Sequence, residues 1–188
     1  QLPEGDPLQL SKVLFSYENP PGTKDVAGSQ DALGIVMPCL NYYHYSQDSY
    51  WPSEIKSIDD ESILSWLEEH LYLIPLDPRG SNYDVLANTN ITEAGAKNLA
   101  DAANNCWDAM QLKDVAAFGT AFLASFHAQI AMFPNMVDET ITPIINKYAS
   151  KCFGYKLSGA GGGGYLILVA NEAIENAIRI KIRRKNSL

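Results

Sequence analysis

The feature that most constrains this chain is a run of glycines between two apolar stretches, Ser158-Gly159-Ala160-Gly161-Gly162-Gly163-Gly164. Gly154 to Leu157 precede it, Tyr165 to Val169 follow it, and both flanks read as strands. Glycine loses more conformational freedom on folding than any other residue, so five of them in six positions need a cause. Two causes are open. The loop can turn bare backbone N–H groups toward an anion such as phosphate. Alternatively, it is a tight connection whose close packing excludes side chains. The dinucleotide-binding fingerprint is set aside, because that motif opens a helix and here the pattern returns to strand.

A formal charge of −8 argues against general affinity for nucleic acid or anionic membranes. The basic run Lys181, Arg183, Arg184 and Lys185 is short and interleaved with isoleucine, so it reads as a solvated helix or strand end. Cys39, Cys106 and Cys152 are too scattered for a disulfide framework or a zinc site. Each reads as a small buried side chain, and reduced thiols fit a cytoplasmic location. No apolar run reads as long enough to cross a bilayer. His44, His70 and His127 lie far apart, which leaves no metal-ligand spacing, and His127 reads as a core histidine on an apolar helix. No Gly-x-Ser-x-Gly hydrolase elbow occurs.

The chain reads as a helix opened by Asp6-Pro7, a short helix over 29–37, and two aromatic-rich strands over 41–45 and 50–58. On the first helix Leu8, Leu10, Val13, Leu14 and Tyr17 make an apolar face. Asp59 opens a helix running to His70, and a strand follows over 71–76. After an irregular stretch come helices over 92–110, 114–133 and 138–152, then the glycine loop between its strands. A last amphipathic segment from Asn171 reads as a helix. This order implies an α+β fold, an antiparallel sheet backed by helices.

A second motif sits at the mouth of the short helix, Gly28-Ser29-Gln30-Asp31, with Pro38-Cys39-Leu40-Asn41 after it. Read alone, Asp31 is an acidic residue suited to a helix N-terminus. Together with Lys156 to Tyr165, however, this segment resembles the GHMP kinases, the superfamily of galactokinase, homoserine kinase, mevalonate kinase and phosphomevalonate kinase. Among these it is closest in pattern to bacterial heptose and other sugar kinases. The resemblance implies the C-terminal, ferredoxin-like domain of that family over 59–188, preceded over 1–58 by the tail end of the N-terminal kinase domain. It implies that Asp31 is the carboxylate that orients, and deprotonates, an acceptor hydroxyl. Gln30 lies beside it in the substrate site. Similar kinases carry an Arg-x-x-Ser type segment near the stretch Pro78-Arg79-Gly80-Ser81-Asn82-Tyr83, which directly follows a strand. That places Arg79 and Ser81 as candidate substrate ligands, Arg79 for a phosphate. A polar turn with an exposed arginine explains the same residues.

The family also needs a Gly-Leu-Gly-Ser type loop to cradle ATP, and this chain contains none. It opens on Gln1 and reads as the C-terminal part of a longer kinase, inactive alone. ATP and Mg2+ are then the cofactors of the complete enzyme, with the magnesium ligands mostly outside this chain. The substrate is a sugar or sugar phosphate, within carbohydrate metabolism, and the missing N-terminal half is the partner. The aromatic group Tyr42, Tyr43, His44, Tyr45, Tyr50 and Trp51 can stack on a sugar ring or simply alternate between core and solvent. A different reading is a non-catalytic binding or regulatory domain that kept the fold.

Overall fold

The computed structural model describes residues 3–24, 26–46, 49–80, 83–84 and 86–185. Two compact units result, one of residues 1–64 with 182–188, the other of residues 65–181.

The first unit holds helix α1 (Pro7–Glu18), helix α2 (Ser29–Val36) and a hairpin of β1 (Leu40–His44) and β2 (Glu54–Ile58). Asp6 caps α1, its Oδ1 accepting from the N–H of Gln9 at 2.9 Å, with Pro7 where a missing N–H costs nothing. The strands pair antiparallel from Leu40 opposite Ile58 to His44 opposite Glu54. The apolar face expected on α1 is covered only in part, with Leu8, Leu10 and Leu14 half-buried. Its buried residue is Ser11, whereas Val13 and Tyr17 are 66% and 84% exposed. The C-terminal basic run is not merely solvated. The Arg183 carbonyl accepts from the N–H of Cys39 (2.7 Å), and its guanidinium donates to the Val36 carbonyl. Arg184 makes a two-pronged ion pair with Glu61 (2.9 and 2.6 Å), and Lys185 pairs with Asp59.

Helix α3 (Glu61–His70) runs from the first unit into the second and leads directly into β3 (Leu71–Pro75). Next come α4 (Glu93–Leu112), α5 (Val115–Met132), a 3-10 turn over Pro134–Met136, α6 (Thr142–Ala149), β4 (Gly154–Leu157), β5 (Tyr165–Val169) and β6 (Ile178–Arg179). Thr92 and Asp114 cap α4 and α5 as their sequences imply. The four strands pair antiparallel in the order β4-β5-β3-β6. This is the order of a split β-α-β, ferredoxin-like sheet. The helix expected after Asn171 is corrected. Residues 171–177 form turns, and the chain then adds the two-residue edge strand β6, held to β3 by Tyr72 opposite Arg179. Two residues carry too little pattern to be told from a helix turn.

Tyr72, Ile74, Leu157, Leu166 and Leu168 of the sheet share a core with Phe126 of α5, Met136, and Ile145 and Tyr148 of α6. Helix α5 approaches β4 through a glycine pair. A Cβ on Gly154 would lie 1.9 Å from the Gly119 carbonyl oxygen, and one on Gly119 would lie 2.3 Å from Phe153 Cβ. Contrary to the expectation from the sequence, α5 is long and apolar enough to cross a bilayer, at 18 residues and mean hydropathy 1.4. Here it packs between α4 and the sheet, with Phe118, Gly119 and Phe126 buried. His127 is a further correction, for it stands on the exposed side of α5.

Candidate functional site

Gln30 and Asp31 occupy the first turn of α2, both exposed, after Gly28 as N-cap. A carboxylate there faces the positive end of the helix, worth roughly 0.3–1 kcal/mol. The turn is anchored by Ser29, which is fully buried. Its Oγ lies 3.1 Å from the Tyr45 hydroxyl and donates to the Tyr50 carbonyl, so both ends of the hairpin connection meet this turn. Gly28, Ser29, Gln30, Tyr45, Ser49 and Tyr50 line an open hollow of about 200 Å³. The aromatic group divides. Trp51 meets Phe15 of α1 edge-on (5.3 Å) and Tyr50 meets it at a tilt (6.4 Å), while Tyr45 and Tyr50, 38% and 60% exposed, line the hollow. Burial, helped by Tyr45, pushes the Tyr43 phenol up to about 12.

In the second unit the glycine loop closes at its neck. Ser158 N–H donates to the Tyr165 carbonyl (2.9 Å), and Ser158 Oγ accepts from the N–H of Tyr165 (3.2 Å). The loop interior is tied to three other segments. The Gly162 N–H donates to the Met136 carbonyl (3.0 Å), and the Gly164 carbonyl accepts from Leu76 (2.9 Å). Arg79 Nε donates to the Gly161 carbonyl (2.7 Å), and the Tyr83 hydroxyl donates to the Ala160 carbonyl (2.6 Å). Gly161 and Gly162 have φ of +73° and +67° and no room, since added Cβ atoms would lie 2.6 Å from the Met136 carbonyl oxygen and 2.2 Å from the Tyr83 ring. Close packing therefore accounts for these two glycines. Gly159 and Gly164 have their nearest neighbours at 3.8 and 3.3 Å, so the loop is less crowded there.

Of the residues singled out from the sequence, Gln30 and Asp31 stand together in one unit, and Arg79 stands with Ser158 to Gly164 in the other. Ser81 and Asn82 lie outside the described residues. Arg79 is exposed, as the polar-turn reading has it, but its Nε is engaged by the loop. Sequence reasoning missed Tyr83 and Met136 as loop partners, because a single side chain in an irregular stretch carries no periodicity. It also missed a buried polar group beneath the sheet. Lys156 Nζ on β4 donates to Ser125 Oγ on α5 at 2.7 Å, and burial holds the Lys156 ammonium below its ordinary range. Burial pushes the neighbouring Cys106 thiol up to about 11. A lysine against a serine hydroxyl has the makings of a nucleophile and base, but Ser125 and Cys106 are only 7% and 9% exposed and no substrate reaches them.

Among the described residues no three His, Cys, Asp or Glu side chains cluster as a metal site. The described residues therefore do not make a magnesium site by themselves.

No family profile and no curated protein matches the sequence. Solved structures do. A mevalonate kinase matches 97% of this chain over 59% of its own length, with a TM-score of 0.63 and 17% identity. The D-glycero-D-manno-heptose 1-phosphate kinase of Bacteroides thetaiotaomicron matches 97% over 54% of its length, with a TM-score of 0.60 and 14% identity. A protein described as a sugar kinase from Campylobacter jejuni matches 90% over 46% of its length, with a TM-score of 0.58 and 19% identity. This chain thus spans about half the length of the kinases it matches. Two antiparallel sheets backed by helices, in that alignment, give this chain the fold of the C-terminal domain of the GHMP kinases.

Proposed function

We propose that this chain is the C-terminal portion of an ATP-dependent small-molecule kinase that phosphorylates a hydroxyl of a sugar or sugar phosphate. The observation that carries the reading is the exposed Gln30-Asp31 turn opening α2 beside an aromatic-rimmed hollow, in a chain of kinase fold. The sugar lies against Tyr45 and Tyr50, with Gln30 bonding a hydroxyl. The Asp31 carboxylate accepts a hydrogen bond from the acceptor hydroxyl and takes its proton as the new O–P bond forms. A loose transition state needs positioning more than a strong base, so a single carboxylate is enough. ATP, with magnesium held mostly by residues outside this chain, supplies the phosphoryl group. In the complete enzyme the glycine loop packs against the nucleotide phosphate loop, and Ser81 is a further substrate ligand. The domain boundary is placed at 58/59, and the protein works in the cytoplasm.

The partner in this reading is the N-terminal half of the kinase, without which the chain is inactive. Three observations support it: the match to about half of each kinase, the uncovered Val13 and Tyr17 face of α1, and a two-stranded sheet. Such a hairpin is at best marginally stable alone.

The test is nucleotide turnover by the full-length kinase against a panel of sugars and sugar phosphates, wild type beside Asp31→Asn, with this chain run in parallel. The expected result is turnover of one sugar class, lost by ~10²–10⁴-fold in Asp31→Asn while ATP still binds, and none by this chain alone. Failure of the full-length protein to bind ATP removes the kinase reading in favour of a non-catalytic binding domain.

A further inference from the structure

We infer that Arg79 and Tyr83 are positioning residues, a clamp that holds the glycine loop in one conformation, rather than ligands of the substrate. The inference rests on the kinase reading for its catalytic consequence, but the clamp itself is read from geometry.

A loop of five glycines has little conformational preference of its own. Its order must come from what grips it. The stretch after β3 supplies two grips on consecutive carbonyls: Tyr83 Oη donates to Ala160 and Arg79 Nε donates to Gly161. The two gripping side chains also hold each other, with the guanidinium carbon 5.5 Å from the Tyr83 ring centre. The Tyr83 ring occupies the space that any side chain at position 162 would need, so ring and glycine fit only as a pair. From another segment the Met136 carbonyl accepts the Gly162 N–H, and Asn135 Nδ2 donates to the Asp84 carbonyl (3.0 Å). The gripping stretch is thereby fixed to the same turn that grips the loop. Burial raises the Tyr83 phenol above its ordinary range, so it stays a hydroxyl donor throughout neutral pH.

With its Nε spent on Gly161, Arg79 is not free to present that edge to a substrate phosphate. Its contribution to phosphoryl transfer is geometric. It fixes the backbone of the loop, and a small displacement of such a support lowers the rate of the chemical step more than the affinity for the acceptor.

The experiment has two arms. Amide hydrogen exchange of Gly159 to Gly164, followed by NMR in this 188-residue chain, compares wild type with Tyr83→Phe and Arg79→Gln. Loss of one such hydrogen bond is expected to speed exchange at Gly162 about five- to tenfold, with the amides of β4 and β5 unchanged. In the full-length kinase the same two variants are expected to lower kcat at least tenfold and to leave the acceptor KM within about twofold. Unchanged exchange at Gly162 overturns the clamp. So does a KM that rises for a phosphorylated acceptor alone, since that marks Arg79 as a substrate ligand. If the wild-type kinase turns over no acceptor, the kinase reading falls, and the exchange arm still decides the clamp.

Discussion

Cys106 offers a quantitative test of how the helices close over the sheet. An ordinary thiol ionises near 9.0, but burial on the covered face of α4 moves that of Cys106 to about 11. The folded chain therefore holds a proton that the unfolded chain has given up between those values. Stability from this group is full below pH 9 and falls as pH rises toward 11. At 1.36 kcal/mol per pH unit the loss is about 1.4 kcal/mol at pH 10 and about 2.7 kcal/mol when complete. Cys106→Ala removes the titration and adds only a pH-independent cavity cost of about 1 kcal/mol. Urea unfolding of both chains at about pH 7.5, 9 and 10 measures the difference. Alkaline titrations not coupled to Cys106, including Tyr43 near 12, are shared by both chains and cancel, whereas Lys156, whose charge interacts with Cys106, is read in its own variant. The variant is expected to be the less stable chain at neutral pH and to draw level or overtake near pH 10. A stability difference that stays constant from pH 7.5 to 10 refutes the reasoning, because it means the thiol ionises alike in both states.

Lys156 carries the opposite sign. Its folded-state pKa lies below 10.5, so wild type recovers stability as pH rises through that lowered value toward 10.5, and Lys156→Met lacks this recovery; denaturant curves across that range distinguish the two. Gly154→Ala forces a Cβ against the Gly119 carbonyl and is expected to cost at least about 2 kcal/mol. Adding Gly119→Ala is expected to cost much less than it does alone, since one widened contact relieves both, and a double-mutant cycle in urea measures the coupling. The two-pronged Arg184–Glu61 pair is mostly at the surface, so Arg184→Gln is expected to cost about 0.5–1 kcal/mol at low salt and less in 1 M salt. Val13→Ser with Tyr17→Ser is expected to leave the unfolding midpoint of this chain almost unchanged and to reduce its self-association by light scattering; a loss above about 1 kcal/mol means the face is already covered.

What the sequence by itself determined is the part of the structure written in short-range chemistry. Asp6, Thr92 and Asp114 each bond an N–H two or three residues ahead, so the starts of α1, α4 and α5 were legible. The apolar run Tyr165 to Val169 and the glycines before it marked a strand–loop–strand unit. The Gly28 to Asp31 turn was equally visible as a helix mouth. Tertiary structure decided the rest, because the partners lie far apart along the chain. Arg79 and Tyr83 reach carbonyls 82 and 77 residues away, and Arg183 reaches Val36 across 147. No local pattern encodes such pairings. The edge strand β6 exists only because β3 offers it an edge, and α1 left Val13 and Tyr17 exposed because amphipathic spacing names a face without naming what covers it. Lys156 looked like the end of a strand, and only the closure of α4 and α5 over the sheet made it a half-buried ammonium held by a serine.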